Sequence, residues 1–172
     1  MRTALENALY YAEKKSEQNM KAALEACTED FTIYSPPFGV TLRGAEENLR
    51  EMTKFFRFFP DYNVITEHTA IGENCVILTG RVQMTPNFSI IGLPNLGKKG
   101  EVDFSATFAI RGNLLFKEIF LLDIVDLCQQ SGLPLDTALN IFGKKHNFSR
   151  VFGVITNAFI SRRLKRLGEA TN

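Results

Sequence analysis

EVDFSATFAIRGNLLFKEIFLLD, residues 101–123, decides the fold. Two strand-like runs flank Arg111-Gly112-Asn113, where Gly112 can take the positive φ of a tight hairpin turn. In the first run Val102, Phe104, Ala106, Phe108 and Ile110 point one way, and Glu101, Asp103, Ser105, Thr107 and Ala109 point the other. The second run is apolar on both parities and should be covered on both faces. Asp123 ends it. A carboxylate there is costly to bury unless paired, or held protonated for a purpose. Asp123 is therefore either the cap of the following segment, accepting from backbone N–H groups at Asp126 or Leu127, or an acid/base.

Before the hairpin the chain reads as helices followed by strands. Thr3-Ala-Leu-Glu6 is a capping box, and Leu5, Ala8, Leu9 and Ala12 follow it at helical spacing. A second helix is expected to restart at Ser16 or Glu17, with Met20, Ala23, Leu24 and Cys27 inward. Short strands are expected at Phe31–Ser35 and Val40–Arg43, separated by Pro36-Pro37. From Gly44 a third helix carries Leu49, Met52, Phe56 and Phe59 on one side and stops before Pro60. Longer strands follow at Tyr62–Ile71 and Cys75–Met84, then a loop through Gly100 leads into the hairpin. This order predicts an α+β fold: N-terminal helices packed against a strongly curved, mainly antiparallel β-sheet. Phe55, Phe56, Phe58 and Phe59 are expected in the core, Asp61 in a turn, and His68 on the sheet surface.

The chain of 172 residues is 45% hydrophobic with 15 Phe, enough for one domain with a normal core. Net charge is +1, which gives no global argument for nucleic acid, and none is expected as a partner. Residues 1–135 carry 13 basic and 17 acidic side chains, whereas residues 136–172 carry 7 and 2. The division falls at residues 1–134 for the main domain and 135–172 for a C-terminal extension. There Phe148, Val151, Phe152, Ile155, Phe159, Ile160, Leu164 and Leu167 form an apolar stripe at helical spacing, opposite Arg150, Arg162, Arg163, Lys165 and Arg166. The extra amphipathic helix is expected to pack on its own domain or in a homodimer, ahead of contact with an anionic membrane surface. Cys27, Cys75 and Cys128 lack CxxC spacing and read as reduced thiols of a cytoplasmic protein. His68 and His146 lack metal-ligand spacing, so neither metal nor cofactor is expected.

Two stretches resemble one family. TLRGAEENLREMTKFFRFFPDYNVITEHTAIGENCVIL is similar to the glycine-glutamate helix, Phe-Pro-Asp turn and following hairpin of SnoaL-like polyketide cyclases and ester cyclases. GLPNLGKKGEVDFSATFAIRGNLLFKEIFLLDIVDLCQQSGLP is similar to their Gly-x-Pro-x-x-Gly-Lys loop, last two strands and closing Gln-x-Gly segment. The resemblance spans about residues 3–134 and implies a cone of the nuclear-transport-factor-2-like superfamily enclosing an apolar pocket. It also implies site residues. Asp123 matches an Asp at the end of the family's last strand and would be the acid/base. Arg81 and Gln83 stand where epoxide-hydrolase relatives carry Arg-x-Asp, and would steady developing oxygen charge. Tyr34 falls at a pocket tyrosine. Phe120 occupies a slot that holds an essential Asp in those relatives. Asp103 continues the semi-polar face, which is a ligand-orienting ring if it faces inward and surface or a dimer contact if it faces outward. The histidine of the cyclases has no counterpart in Ser105–Ala109. Glu118 reaches the same pocket only if the other parity faces inward, and a solvated face is expected for it. The resemblance thus implies a cofactor-independent cyclase or isomerase acting on a hydrophobic, carbonyl-bearing small molecule, with a non-catalytic carrier or dimeric interaction domain as the alternative.

Overall fold

The computed structural model describes residues 2–92 and 94–142. Thr3 begins the fold with both halves of its capping box: its backbone N–H donates to Glu6 Oε2 at 2.7 Å and the Glu6 N–H donates to Thr3 Oγ1 at 3.2 Å. Helix α1 (Ala4–Ser16) follows. It buries Asn7, Ala8, Tyr11 and Lys15, while Leu9 stays 37% exposed. The inner face is therefore turned from the Leu5–Leu9 stripe expected above. A phenol and an ammonium go inward because an acid on a distant strand receives them.

Gln18, at φ 59°, breaks the chain after α1, so the next helix starts at Met20 rather than at Ser16 or Glu17. Asn19 caps this short α2 (Met20–Ala23), accepting from the Ala22 N–H. Then come β1 (Cys27–Ser35), β2 (Val40–Arg43), α3 (Gly44–Phe58), β3 (Asn63–Ile71), β4 (Cys75–Met84), β5 (Gly100–Arg111), β6 (Leu114–Leu122), α4 (Ile124–Ser131) and α5 (Leu135–Phe142).

The strands form one six-stranded sheet in the order β2-β1-β6-β5-β4-β3. Every neighbouring pair is antiparallel except β1 with β6, which is parallel. Irregular register at Thr66/His68 and at Ala109/Ile110 helps bend it. Gly80 lies opposite the first of these. A Cβ there would sit 2.0 Å from the Ile65 carbonyl oxygen, so only glycine allows β3 to come so close. The curved sheet wraps α1 and α3 in an α+β cone.

The core is aromatic. Phe56, Phe58 and Phe59 are buried, and Phe55 packs half-buried against them, its ring centroid 5.0 Å from that of Phe59. Tyr11 stands edge-on to Phe31 and Phe108. Helix α4 is held on β5 by Gln130, whose side chain accepts from the Glu101 N–H and donates to the Glu101 carbonyl, as a neighbouring strand would. The apolar stripe from Phe148 onward lies outside the described residues.

Candidate functional site

The hairpin parity sends Glu118, Phe120 and Leu122 of β6 into the cone. Glu118 is 1% exposed, which corrects the solvated position expected for it. It shares its parity with Phe120, and burial of that face carries the acid inside. Lys15 meets it from α1, its Nζ donating to Oε1 at 2.9 Å and Oε2 at 3.1 Å. The Tyr11 hydroxyl donates to Oε2 at 2.8 Å. The carboxylate is thus clamped by a cation and a phenol of one helix, on residues four apart. Lys15 Nζ also lies 4.9 Å from the Phe120 ring centroid and 5.0 Å from that of Tyr11.

Burial, and then the negative charge of Glu118, push the Tyr11 phenol well above its ordinary range, so it stays a donor. The same two causes raise Tyr62. Burial raises the Cys27 thiol, with Glu118 adding to the effect and Lys15 opposing it, so this cysteine is held protonated.

Around the cluster stand Tyr62, Leu78, Phe104, Ala106, Phe108 and Phe120. Phe104 and Phe120 stack at 5.7 Å with an interplanar angle of 21°. The free space left among these side chains is about 10 Å³. That is roughly what one water molecule needs, and far below the several hundred Å³ of a typical small-molecule pocket. On the surface, a groove of about 420 Å³ runs between α1 and β3. Ala12 and Val64 line both this groove and the interior, and form the wall between them.

Of the site residues that the family resemblance implied, Phe120 alone lines this interior. Asp123 is exposed at the N-terminus of α4, where its Oδ1 accepts from Val125 N–H at 3.1 Å and Asp126 N–H at 2.9 Å. It is the cap that one of its two readings described. Arg81, Gln83 and Asp103 lie on the outer face, opposite in parity to Val82, Val102 and Phe104. There Arg81 donates to Glu67 at 2.8 Å and to Glu101 at 2.6 Å, and Gln83 donates to Glu101. Tyr34 is 37% exposed, farther along the same face. The structure brings Arg81, Gln83 and Asp103 together, but with neither Asp123 nor a pocket.

Sequence reading missed the Tyr11–Lys15–Glu118 cluster. Its halves lie 103 positions apart, and with Lys117 beside Glu118 on β6 no local signal marks which charge faces inward. Among the described residues, no group of three or more His, Cys, Asp or Glu is arranged to hold a metal, and no helix is long and apolar enough to cross a membrane.

Helices cupped by a curved, largely antiparallel sheet, with the Tyr11–Lys15–Glu118 cluster buried between helix and sheet, define a protein of the nuclear-transport-factor-2-like class. Within it the chain belongs to the SnoaL-like polyketide cyclase family, whose model matches residues 6–131. No curated protein matches it. Solved structures share the fold at low identity. A candidate SnoaL-like polyketide cyclase from Shewanella denitrificans OS-217 is 15% identical, with TM-score 0.66, over 74% of this chain and 95% of its own. One from Jannaschia sp. CCS1 is 16% identical, with TM-score 0.66, over 76% and 92%. A protein from Catenulispora acidiphila with a ketosteroid isomerase-like fold, solved with trimethylamine, is 16% identical, with TM-score 0.65, over 76% and 95%.

Proposed function

We propose that this chain is a SnoaL-family protein whose cone is filled by its own side chains, and that it works through its outer surface as a non-catalytic interaction domain. The carrying observation is the space of about 10 Å³ left among the described side chains around Glu118, which admits no polyketide-sized ligand. The acid that the family resemblance offers for catalysis, Asp123, is engaged by backbone N–H groups of α4. The test is native mass spectrometry of the purified full chain, with titration of a hydrophobic fluorescent probe such as anilinonaphthalene sulfonate. The expected result is bare protein and no stoichiometric binding. A small molecule retained one to one would overturn the reading.

One observation favours a second reading, in which the protein is a cyclase or isomerase. The α1–β3 groove meets the interior at Ala12 and Val64. Movement of α1 off β3 would open a path for a hydrophobic, carbonyl-bearing compound. Glu118 would then exchange the α-proton, while Lys15 and Tyr11 faced the developing oxyanion. Loss of turnover in Glu118→Gln together with full turnover in Asp123→Asn would support that reading over the first.

A further inference from the structure

The outer face of the sheet carries a hollow that the cone does not explain. It lies across β2, β1 and β6, where the pairing of β1 with β6 is irregular. Cys27 stands opposite Leu115 and Thr32 opposite Lys117, so a step of five residues along β1 matches a step of two along β6. β1 must bow away from its neighbour there, and Phe116 is the extra residue of β6 against β5. The result is an open concavity of about 400 Å³. That is within the range of small-molecule sites, and far larger than the space of about 10 Å³ around Glu118.

Its lining is cationic. Arg43, Arg111 and Lys117 face it, and Asp30 is the one acid among its lining residues. Asp30 is already engaged: its two carboxylate oxygens accept from Arg111 Nη1 at 3.1 and 3.0 Å, and Oδ1 also accepts from the Thr28 hydroxyl at 2.7 Å. Arg111 in turn lies over the Phe116 ring, 4.8 Å from its centroid. The other two cations keep their charge open. Arg43 and Lys117 make no ion pair with any described residue, and Glu47 accepts the backbone N–H of Arg43 at 2.7 Å. They flank Thr32, which pairs with Arg43 on β2 and with Lys117 on β6. Neighbouring strands lie about 4.8 Å apart, so these two Cα atoms are about 10 Å apart and their side chains can converge over Thr32. Like charges so placed repel each other unless an anion comes between them. The next row holds Thr41 opposite Tyr34, whose residue is 37% exposed.

We propose that this hollow binds a small molecule that carries a phosphate monoester on a flat ring. Three cations against one acid leave two positive charges, and a phosphate monoester brings about −1.5 to −2 at neutral pH. Its three terminal oxygens accept from the Arg43 guanidinium and the Lys117 ammonium, with the Thr32 and Thr41 hydroxyls beside them. A carboxylate would bring one charge and leave a cation unmatched. Arg111 occupies a face of Phe116, so Tyr34 is the ring on which the flat part of the ligand stacks. This proposal rests on the outer-surface reading above and names the class of ligand that the surface takes.

The experiment is titration of the full chain with phenyl phosphate, inorganic phosphate and phenol, followed by backbone amide shifts in nuclear magnetic resonance. Phenyl phosphate should saturate, moving the amides of Thr32, Tyr34, Arg43 and Lys117 most. Inorganic phosphate should move the same amides with about tenfold weaker affinity, for want of the ring, and phenol should move none of them. Arg43→Gln and Lys117→Gln should each weaken phenyl phosphate about tenfold. Arg81→Gln, outside the hollow, should leave it unchanged. Circular dichroism checks folding. If a variant fails to fold, Tyr34→Ala takes its place and should bring phenyl phosphate down to the affinity of inorganic phosphate. Shifts that never saturate overturn the proposal, as do shifts spread away from the hollow or an equal loss in Arg81→Gln. Equal affinity for the two phosphates overturns the ring. The filled-cone reading fails by a different readout, saturable shifts at Ala106, Glu118 and Phe120, which leaves the result at the hollow standing.

Discussion

Glu118→Leu removes the acid that faces Lys15 in the interior. The ammonium, 5% exposed and otherwise surrounded by aromatic rings, is left without a counter-charge. Breaking a buried pair in this way costs about 3–5 kcal/mol, because an unpaired ion remains in a low-dielectric site. Lys15→Met leaves the carboxylate with the Tyr11 hydroxyl alone, and should cost about the same. Independent sites would give a double variant destabilised by about 6–10 kcal/mol, as much as the whole stability of an ordinary domain. The pair predicts otherwise. Lys15→Met with Glu118→Leu removes both ions, and leaves only the Tyr11 hydroxyl without an acceptor, a loss of about 1–3 kcal/mol, which better apolar packing partly offsets. The double variant should therefore be more stable than either single. Urea unfolding followed by circular dichroism measures all four corners of the cycle. A double variant that merely sums the singles would refute the pair as one unit. A Glu118→Leu cost below about 1 kcal/mol would refute its placement in a dry interior.

Other consequences are simpler to test. Asp123→Ala should lower stability by about 0.5–2 kcal/mol and Asp123→Asn hardly at all, since asparagine caps as well as aspartate; equal losses in thermal unfolding would contradict the cap role. Gly80→Ala forces a methyl group against the Ile65 carbonyl and should destabilise by more than about 1 kcal/mol in urea unfolding, or prevent folding outright. Tyr11 and Tyr62 hold their protons above 10.0 in the folded chain, whereas the unfolded chain releases them there. Below that pH both states are protonated and the two tyrosines add no pH dependence. Above it the unfolded state binds fewer protons, so stability falls as pH rises, and Tyr11→Phe should flatten the slope.

What could be read from sequence divides along the range of the interactions involved. The capping box, the Gly112 turn and the alternation of β5 depend on residues a few positions apart, and each is visible in the string. The strand β6 is different. Its apolar residues occupy both parities, so nothing local says whether Glu118 or Lys117 looks inward. Pairing decides it. Ile110 stands opposite Leu115 but Ala109 stands opposite Lys117, so Phe116 is the extra residue that resets the parity. The inner face of α1 was obscured in the same way. Periodicity sets Lys15 in line with Ala8 and Ala12, but its charge reads as solvent, and Glu118, 103 positions later, makes its burial tolerable. The site at the centre of the cone is a long-range pair whose halves each look like surface when read alone. Asp123, by contrast, drew attention because it ends an apolar run. The same position, two residues ahead of free helix N–H groups, is where a cap belongs.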